Sequence, residues 1–149
     1  MAICTIIVAA TLCSCDHLPV YSHFEHIAKE GWNREDTSHF DIPLKEQGLY
    51  DITLSVRATN LYPYTQLKLI VRHNEKTRIL PVKTDTITLD ITDAEGNMLG
   101  NGTSVHQYTV RLLPVPITAA DTLSLNVAHI MRKQTLPGIT EIGLTIDKK

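Results

Sequence analysis

The sequence predicts an all-β domain: a single β-sandwich, jelly-roll or immunoglobulin-like, of about eight strands behind an N-terminal leader. Three observations predict it. Apolar and polar residues alternate with a period of two in several segments. Turn-forming residues punctuate those segments. No stretch carries a sustained helical period.

The clearest alternation is Tyr50-Asp51-Ile52-Thr53-Leu54-Ser55-Val56-Arg57, apolar at the even positions and polar at the odd ones. Thr84 to Asp93 repeats it through Ile87, Leu89 and Ile91. Asp121 to Met131 does so again, with Leu123, Leu125 and Val127 on one face and Thr122, Ser124 and Asn126 on the other. His39–Ile42, Gln66–His73, Thr77–Val82, His106–Leu113 and Glu141–Asp147 are shorter strand candidates. Asp93-Ala94-Glu95-Gly96-Asn97 reads as a type I turn with its glycine in the left-handed region, a common hairpin connection. Asn101-Gly102 reads as a second turn. Pro114-Val115-Pro116 should end a strand, because proline cannot donate to a ladder. Leu136-Pro137-Gly138 separates the last two strands. Trp32, the one tryptophan of the chain, is expected to be the first core anchor.

The N-terminus has a different character. Residues 3 to 12 form an apolar run of signal-peptide length, too short for the roughly 20 residues of a membrane span. Leu12-Cys13-Ser14-Cys15 follows, the pattern of a lipobox. There the thiol at +1 takes a diacylglyceryl group and small residues before it admit a peptidase. Cys15 is therefore the expected lipidation site. Cys13 is a poorer one, because the bulky Leu12 would stand at −1. An ordinary buried strand or helix is the bland alternative. No Lys or Arg stands between Met1 and Ile3, where a signal peptide is positive, so the translation start is expected upstream. The resulting organisation is 1–14 signal peptide, 15–31 lipidated N-terminus and polar tether, and 32–149 β-sandwich domain.

All three cysteines, Cys4, Cys13 and Cys15, lie in the first 15 residues. A mature chain beginning at Cys15 would have no disulfide and no zinc site with more than one thiolate. The formal net charge of −2, with basic residues dispersed along the sequence, gives no footprint for nucleic acid.

Candidate chemistry is sparse. His23-Phe24-Glu25-His26 lacks the zinc-protease spacing, and on a strand its two histidines would face opposite ways. A polar tether is the plainer reading. His39, His73, His106 and His129 are expected at the surface or locally satisfied. Asp41, Asp51, Asp85, Asp90 and Asp121 are not paired by anything in the sequence, as a glycosidase would need. No G-x-S-x-G elbow is present. Asp93, Glu95 and Asn97 invite a calcium reading, but the EF-hand spacing is missing and a hairpin turn explains them. Asn101-Gly102-Thr103 is formally a glycosylation sequon. No catalytic residue, cofactor or metal is therefore expected, and the chain reads as a non-enzyme. Asn60-Leu61-Tyr62-Pro63-Tyr64 is the densest unusual patch. Its rings could stack on a glycan or cap the core.

In order along the chain, several points resemble the gliding-motility lipoprotein H family (GldH) of the Bacteroidetes. They are Gly31-Trp32 with Asp36 and Phe40; Arg57, Asn60 and Tyr62-Pro63-Tyr64 leading into Leu67-Lys68-Leu69-Ile70-Val71; and Asp85-Thr86. Asp93-Ala94-Glu95-Gly96, Leu99-Gly100-Asn101-Gly102, Met131-Arg132 and Gly138-Ile139-Thr140-Glu141-Ile142-Gly143 complete the set. Ser104 to Leu123 departs from the family's pattern, and Thr65-Gln66 replaces its Ser-Asn. The resemblance implies an envelope lipoprotein, attached by lipid to a membrane and expected at the outer one, whose partners are other envelope or gliding-machinery proteins. It implies a scaffold role in gliding and associated secretion, and no catalytic residues. A surface glycan-binding or adhesion module is the alternative. The resemblance also makes Asp85-Thr86-Ile87 and Asp121-Thr122-Leu123 formal O-glycan acceptors, although plain strand positions explain them.

Overall fold

The computed structural model describes residues 18–73 and 83–149. Cys15 and the strand expected at Thr77–Val82 lie outside the described residues. Among the described residues the structure is all-β, with eleven strands. They are β1 (Tyr21–His26), β2 (Trp32–Asn33), β3 (Ser38–Leu44), β4 (Gly48–Ala58), β5 (Gln66–His73), β6 (Lys83–Asp90), β7 (His106–Arg111), β8 (Val115–Ile117), β9 (Asp121–His129), β10 (Thr135–Leu136) and β11 (Ile139–Lys148). They form a five-stranded sheet in the order β1-β11-β4-β7, with β8 also on β4, and a four-stranded sheet in the order β3-β9-β5-β6. A two-stranded ribbon joins β10 to β2. All these pairings are antiparallel.

The all-β expectation holds, and the described residues form eleven strands in three sheets where about eight strands were expected. Seven of the expected strands are present. The additional four are short or lie at an edge. β2 and β10 have two residues each, below any length at which alternation can be read. β8 is the segment expected to break a strand. Its Pro116 stands opposite Leu49 on β4, and among the described residues β8 pairs with β4 alone, a tolerated edge position for a residue without an N–H. β7 and β8 both lie along β4, separated by Leu112, Leu113 and Pro114.

One correction concerns residues 15–31. Tyr21 to His26, read as tether, forms β1 and pairs along its whole length with β11, from Tyr21 opposite Ile146 to His26 opposite Glu141. Its sequence hides this, because an edge strand with polar residues on both faces has no clean period. Residues 27–31 then turn toward the ribbon, with Gly31 donating to Ala28 O at 2.9 Å.

Alternation explains the core. Phe40, Ile42 and Leu44 of β3, Ile52, Leu54 and Val56 of β4, Leu67, Leu69 and Val71 of β5, and Ile142, Leu144 and Ile146 of β11 are buried in one continuous apolar cluster. Burying each such side chain contributes about 1.5–3 kcal/mol relative to leaving it in water. Trp32 joins that cluster as expected, and its Nε1 donates to Asp36 O at 3.0 Å. On β9 burial runs over both faces. Ser124 and Asn126, expected on an open polar face, are buried. β9 is an inner strand, and both side chains find partners across the pairing with β3: Ser124 donates to Asp41 at 2.6 Å, and Asn126 lies 2.6 Å from His39 Nδ1.

The expected turns are present. Asp93 N donates to Asn97 O at 3.0 Å, Gly96 has φ +88°, and Asp93 Oδ1 accepts from the amides of Glu95 and Asn97. Those bonds hold the Asp93 carboxyl below its ordinary range, the Asn97 side-chain bond foremost. Asn101 and Gln107 exchange backbone hydrogen bonds at 3.0 and 2.8 Å across the second turn.

Candidate functional site

Two outer faces carry the polar side chains that the fold brings together. On the five-stranded sheet, register places His26 opposite Glu141, Glu141 opposite Arg57, and Arg57 opposite Gln107. These four side chains make one row across β1, β11, β4 and β7. His26 Nδ1 lies 2.9 Å from Glu141 Oε1. Arg57 donates to Glu141 and, at 3.0 Å, to Gln107 Oε1. Its guanidinium sits 4.1 Å from the centre of the Phe24 ring, a cation–π contact. The Phe24 ring in turn lies across Gly143, opposite it in the register. A groove of about 530 Å³ opens here, lined by the row together with Asn101, Val105 and Thr140. Arg57 commits Nε and Nη1 to the row and its face to Phe24, so the row braces the sheet.

The His23-Phe24-Glu25-His26 segment is thus a strand. His26 joins the row, whereas His23 lies near Tyr21 and Phe40, its ring centre 6.3 Å from that of Phe40. The two histidines do not converge. Among the described residues no cluster of three or more His, Cys, Asp or Glu is placed to hold a metal.

For the remaining histidines, expected at the surface or locally satisfied, both situations occur. His39 is exposed, but His73 and His129 are buried. His129 Nε2 lies 3.1 Å from Trp32 O, and its ring stands edge-on to the indole at 5.3 Å. His73 Nε2 lies 3.1 Å from Asp85 Oδ2, and Lys83 Nζ lies 3.2 Å from the same oxygen. Burial holds both imidazoles below their ordinary value, against the pull of Asp85 on His73. Of the carboxylates weighed as catalytic candidates, Asp41 bonds Ser124, Asp90 bonds Gln66 and Asp51 pairs with Lys149.

The Tyr62-Pro63-Tyr64 loop is divided. Tyr62 is buried, its hydroxyl donating to Gln66 O at 2.9 Å, and burial raises its pKa well above the ordinary range. Tyr64 stands edge-on to it at 5.6 Å and remains exposed. One ring caps the core and one faces out.

The outer face of the four-stranded sheet gathers what sequence order keeps apart. A groove of about 590 Å³ is lined by Arg34, Arg72 and Arg132 around Ile70, Ile130 and Met131. A second, of about 460 Å³, shares Ile130, Met131 and Arg132 and adds Tyr64, Lys68 and Lys133. Five cations thus surround one apolar centre. Part of this was legible: Lys68 and Arg72 occupy the polar phase of β5. Arg34 and Arg132, 98 positions apart, are joined only by the ribbon, where Arg34 donates to Arg132 O.

The structure therefore defines an all-β module with a self-braced polar row on one outer face and a cationic groove on the other. The chain matches the family model described as GldH lipoprotein over residues 19–146 and belongs to that family. It is thus a member of a gliding-motility-associated lipoprotein family of the cell envelope. No curated protein matches it. Among solved structures it is similar to dimeric latent PorU from Porphyromonas gingivalis, at 10% identity and a TM-score of 0.36. The likeness covers 88% of this chain and 13% of that one.

Proposed function

We propose that this chain is a non-catalytic scaffold component of the gliding and secretion-associated envelope machinery, held by lipid on Cys15 at the outer membrane. In this reading residues 1–14 are the signal peptide, and the two larger sheets pack as a sandwich around the shared core. The observation that carries it is the family match over residues 19–146. The apolar run before Leu12-Cys13-Ser14-Cys15 supports the anchor. A cysteine carrying two or three acyl chains would hold firmly, since each buried CH₂ contributes about 0.8 kcal/mol.

Cys15→Ala should abolish incorporation of labelled palmitate and move the protein from the membrane to the soluble fraction. Deleting the gene should impair gliding, or envelope integrity in a host that does not glide. A deletion strain with normal motility, secretion and envelope would overturn the scaffold reading. The glycan-binding alternative loses one of its two rings, since Tyr62 is buried. It now rests on Tyr64 alone, and failure of the protein to bind a glycan array would remove it.

A further inference from the structure

We infer that the cationic groove on the outer face of the four-stranded sheet docks an acidic, amphipathic polypeptide segment of another envelope protein. The chain as a whole is slightly acidic, with a formal charge of −2. Arg34, Arg72, Arg132, Lys68 and Lys133 are nonetheless all exposed around one patch. Among the described residues, none of the five takes part in a salt bridge. Glu35 and Asp36, next to Arg34 in sequence, do not line the groove. A surface that brings several like charges together without opposite charges to neutralise them is repelled by itself and complementary to an anion.

The centre of the patch selects among anions. Ile130 is 44% exposed, and Ile70 and Met131 are half-buried beside it. An apolar centre with a charged rim, rich in Arg, Met and Tyr, is the anatomy of a protein interface. A free phosphate would make no use of the isoleucines. A sugar polymer would need flat exposed rings, and of the two rings lining the patch His129 is buried and Tyr64 alone is exposed.

Position argues against a lipid surface. β1 starts six residues after Cys15, and its Tyr21 end lies beside Ile146 and thereby Ile52. Its other end, at His26, leads through residues 27–31 to Trp32, which His129 contacts. Arg34 and Arg132 lie at this second end. β1 alone spans roughly 20 Å at about 3.3 Å per residue. With the anchor at the Tyr21 end, Arg34 and Arg132 lie at the end of the fold remote from it. This step rests on the anchoring proposed for Cys15.

The test uses the full-length protein and a fluorescein-labelled peptide of alternating glutamate and leucine, with anisotropy as readout. Saturable binding that weakens with salt is expected. Arg34→Glu with Arg132→Glu should weaken it about tenfold or more, and Ile130→Ser should weaken it at unchanged charge. Lys45→Glu, at the opposite end, should leave it unchanged. An unaltered urea midpoint confirms that each variant is folded. Absence of saturable peptide binding would overturn the inference, as would equal loss with Lys45→Glu. So would binding of phosphatidylglycerol vesicles or dextran sulfate in place of the peptide. Because binding is read in solution, it succeeds or fails independently of the gliding and fractionation phenotypes that test the scaffold role.

Discussion

Gly143 shows how one absent side chain organises a face. It stands opposite Phe24 on one side and Ser55 on the other. A methyl group at this position would come within 2.4 Å of the Phe24 ring. The ring fills the place of the missing side chain, a known way of restoring packing over a strand glycine. It then presents its face to Arg57. Gly143→Ala should therefore destabilise the fold by about 1–3 kcal/mol, the usual cost of overpacking. The same substitution in a Phe24→Ala background should cost much less. A double-mutant cycle in urea measures the coupling, and additive effects would show that ring and glycine are independent. The sequence displayed Gly143 as part of a family motif. It gave no sign of its partner, which lies 119 positions away.

At the scale of elements, two turn glycines have different reasons to be glycine. Gly96 has φ +88° with open space where a Cβ would point. Gly138 has φ +80°, but a Cβ there would meet the Tyr62 backbone nitrogen at 2.3 Å. Gly96→Ala should cost about 1 kcal/mol, the conformational penalty alone. Gly138→Ala adds a clash with main chain that cannot swing aside, and should cost clearly more in thermal or urea unfolding. Equal costs would contradict the close approach of the two loops. The elements also show what sequence reading can reach. Strands with one face in the core, such as β4 and β5, announce themselves by alternation, and the Asp93–Asn97 turn by its residue types. β1 stays hidden because its pairing with β11 is satisfied through main chain. β2 and β10 stay hidden because their identity comes from each other. The candidate site was less legible than the fold. Lys68 and Arg72 could be placed on an outer face from β5 alone, but Arg34 and Arg132 meet only through tertiary structure.

For the molecule as a whole, the two buried histidines link stability to pH. Burial depresses both below the ordinary 6.5. The unfolded chain therefore binds protons at a pH where the folded chain does not. Stability from this source is present above 6.5 and is lost as pH falls from there toward the lowered folded values. The groups that modulate it are Asp85 and Lys83 around His73, and Arg34 near His129. The urea midpoint should fall between about pH 7.5 and about pH 5.5, and His73→Gln or His129→Gln should flatten that dependence. A midpoint that is level across this window would show that the two imidazoles titrate alike in both states.

The pairing of β1 with β11 also sets how the molecule bears load. Ladder hydrogen bonds run across the strands. Tension drawn from the Tyr21 end, against a hold at Ile130, pulls along β1 and strains its whole register with β11 at once, in shear. Tension between Val20 and Lys149 acts on neighbouring positions at one end of the sheet and peels β1 away pair by pair. In single-molecule pulling, the first geometry should need distinctly higher force than the second, and equal forces would mean that β1 is not what resists. A lipid tether leading directly into a sheared edge strand would let the domain transmit a pull between its membrane and whatever grips its far end.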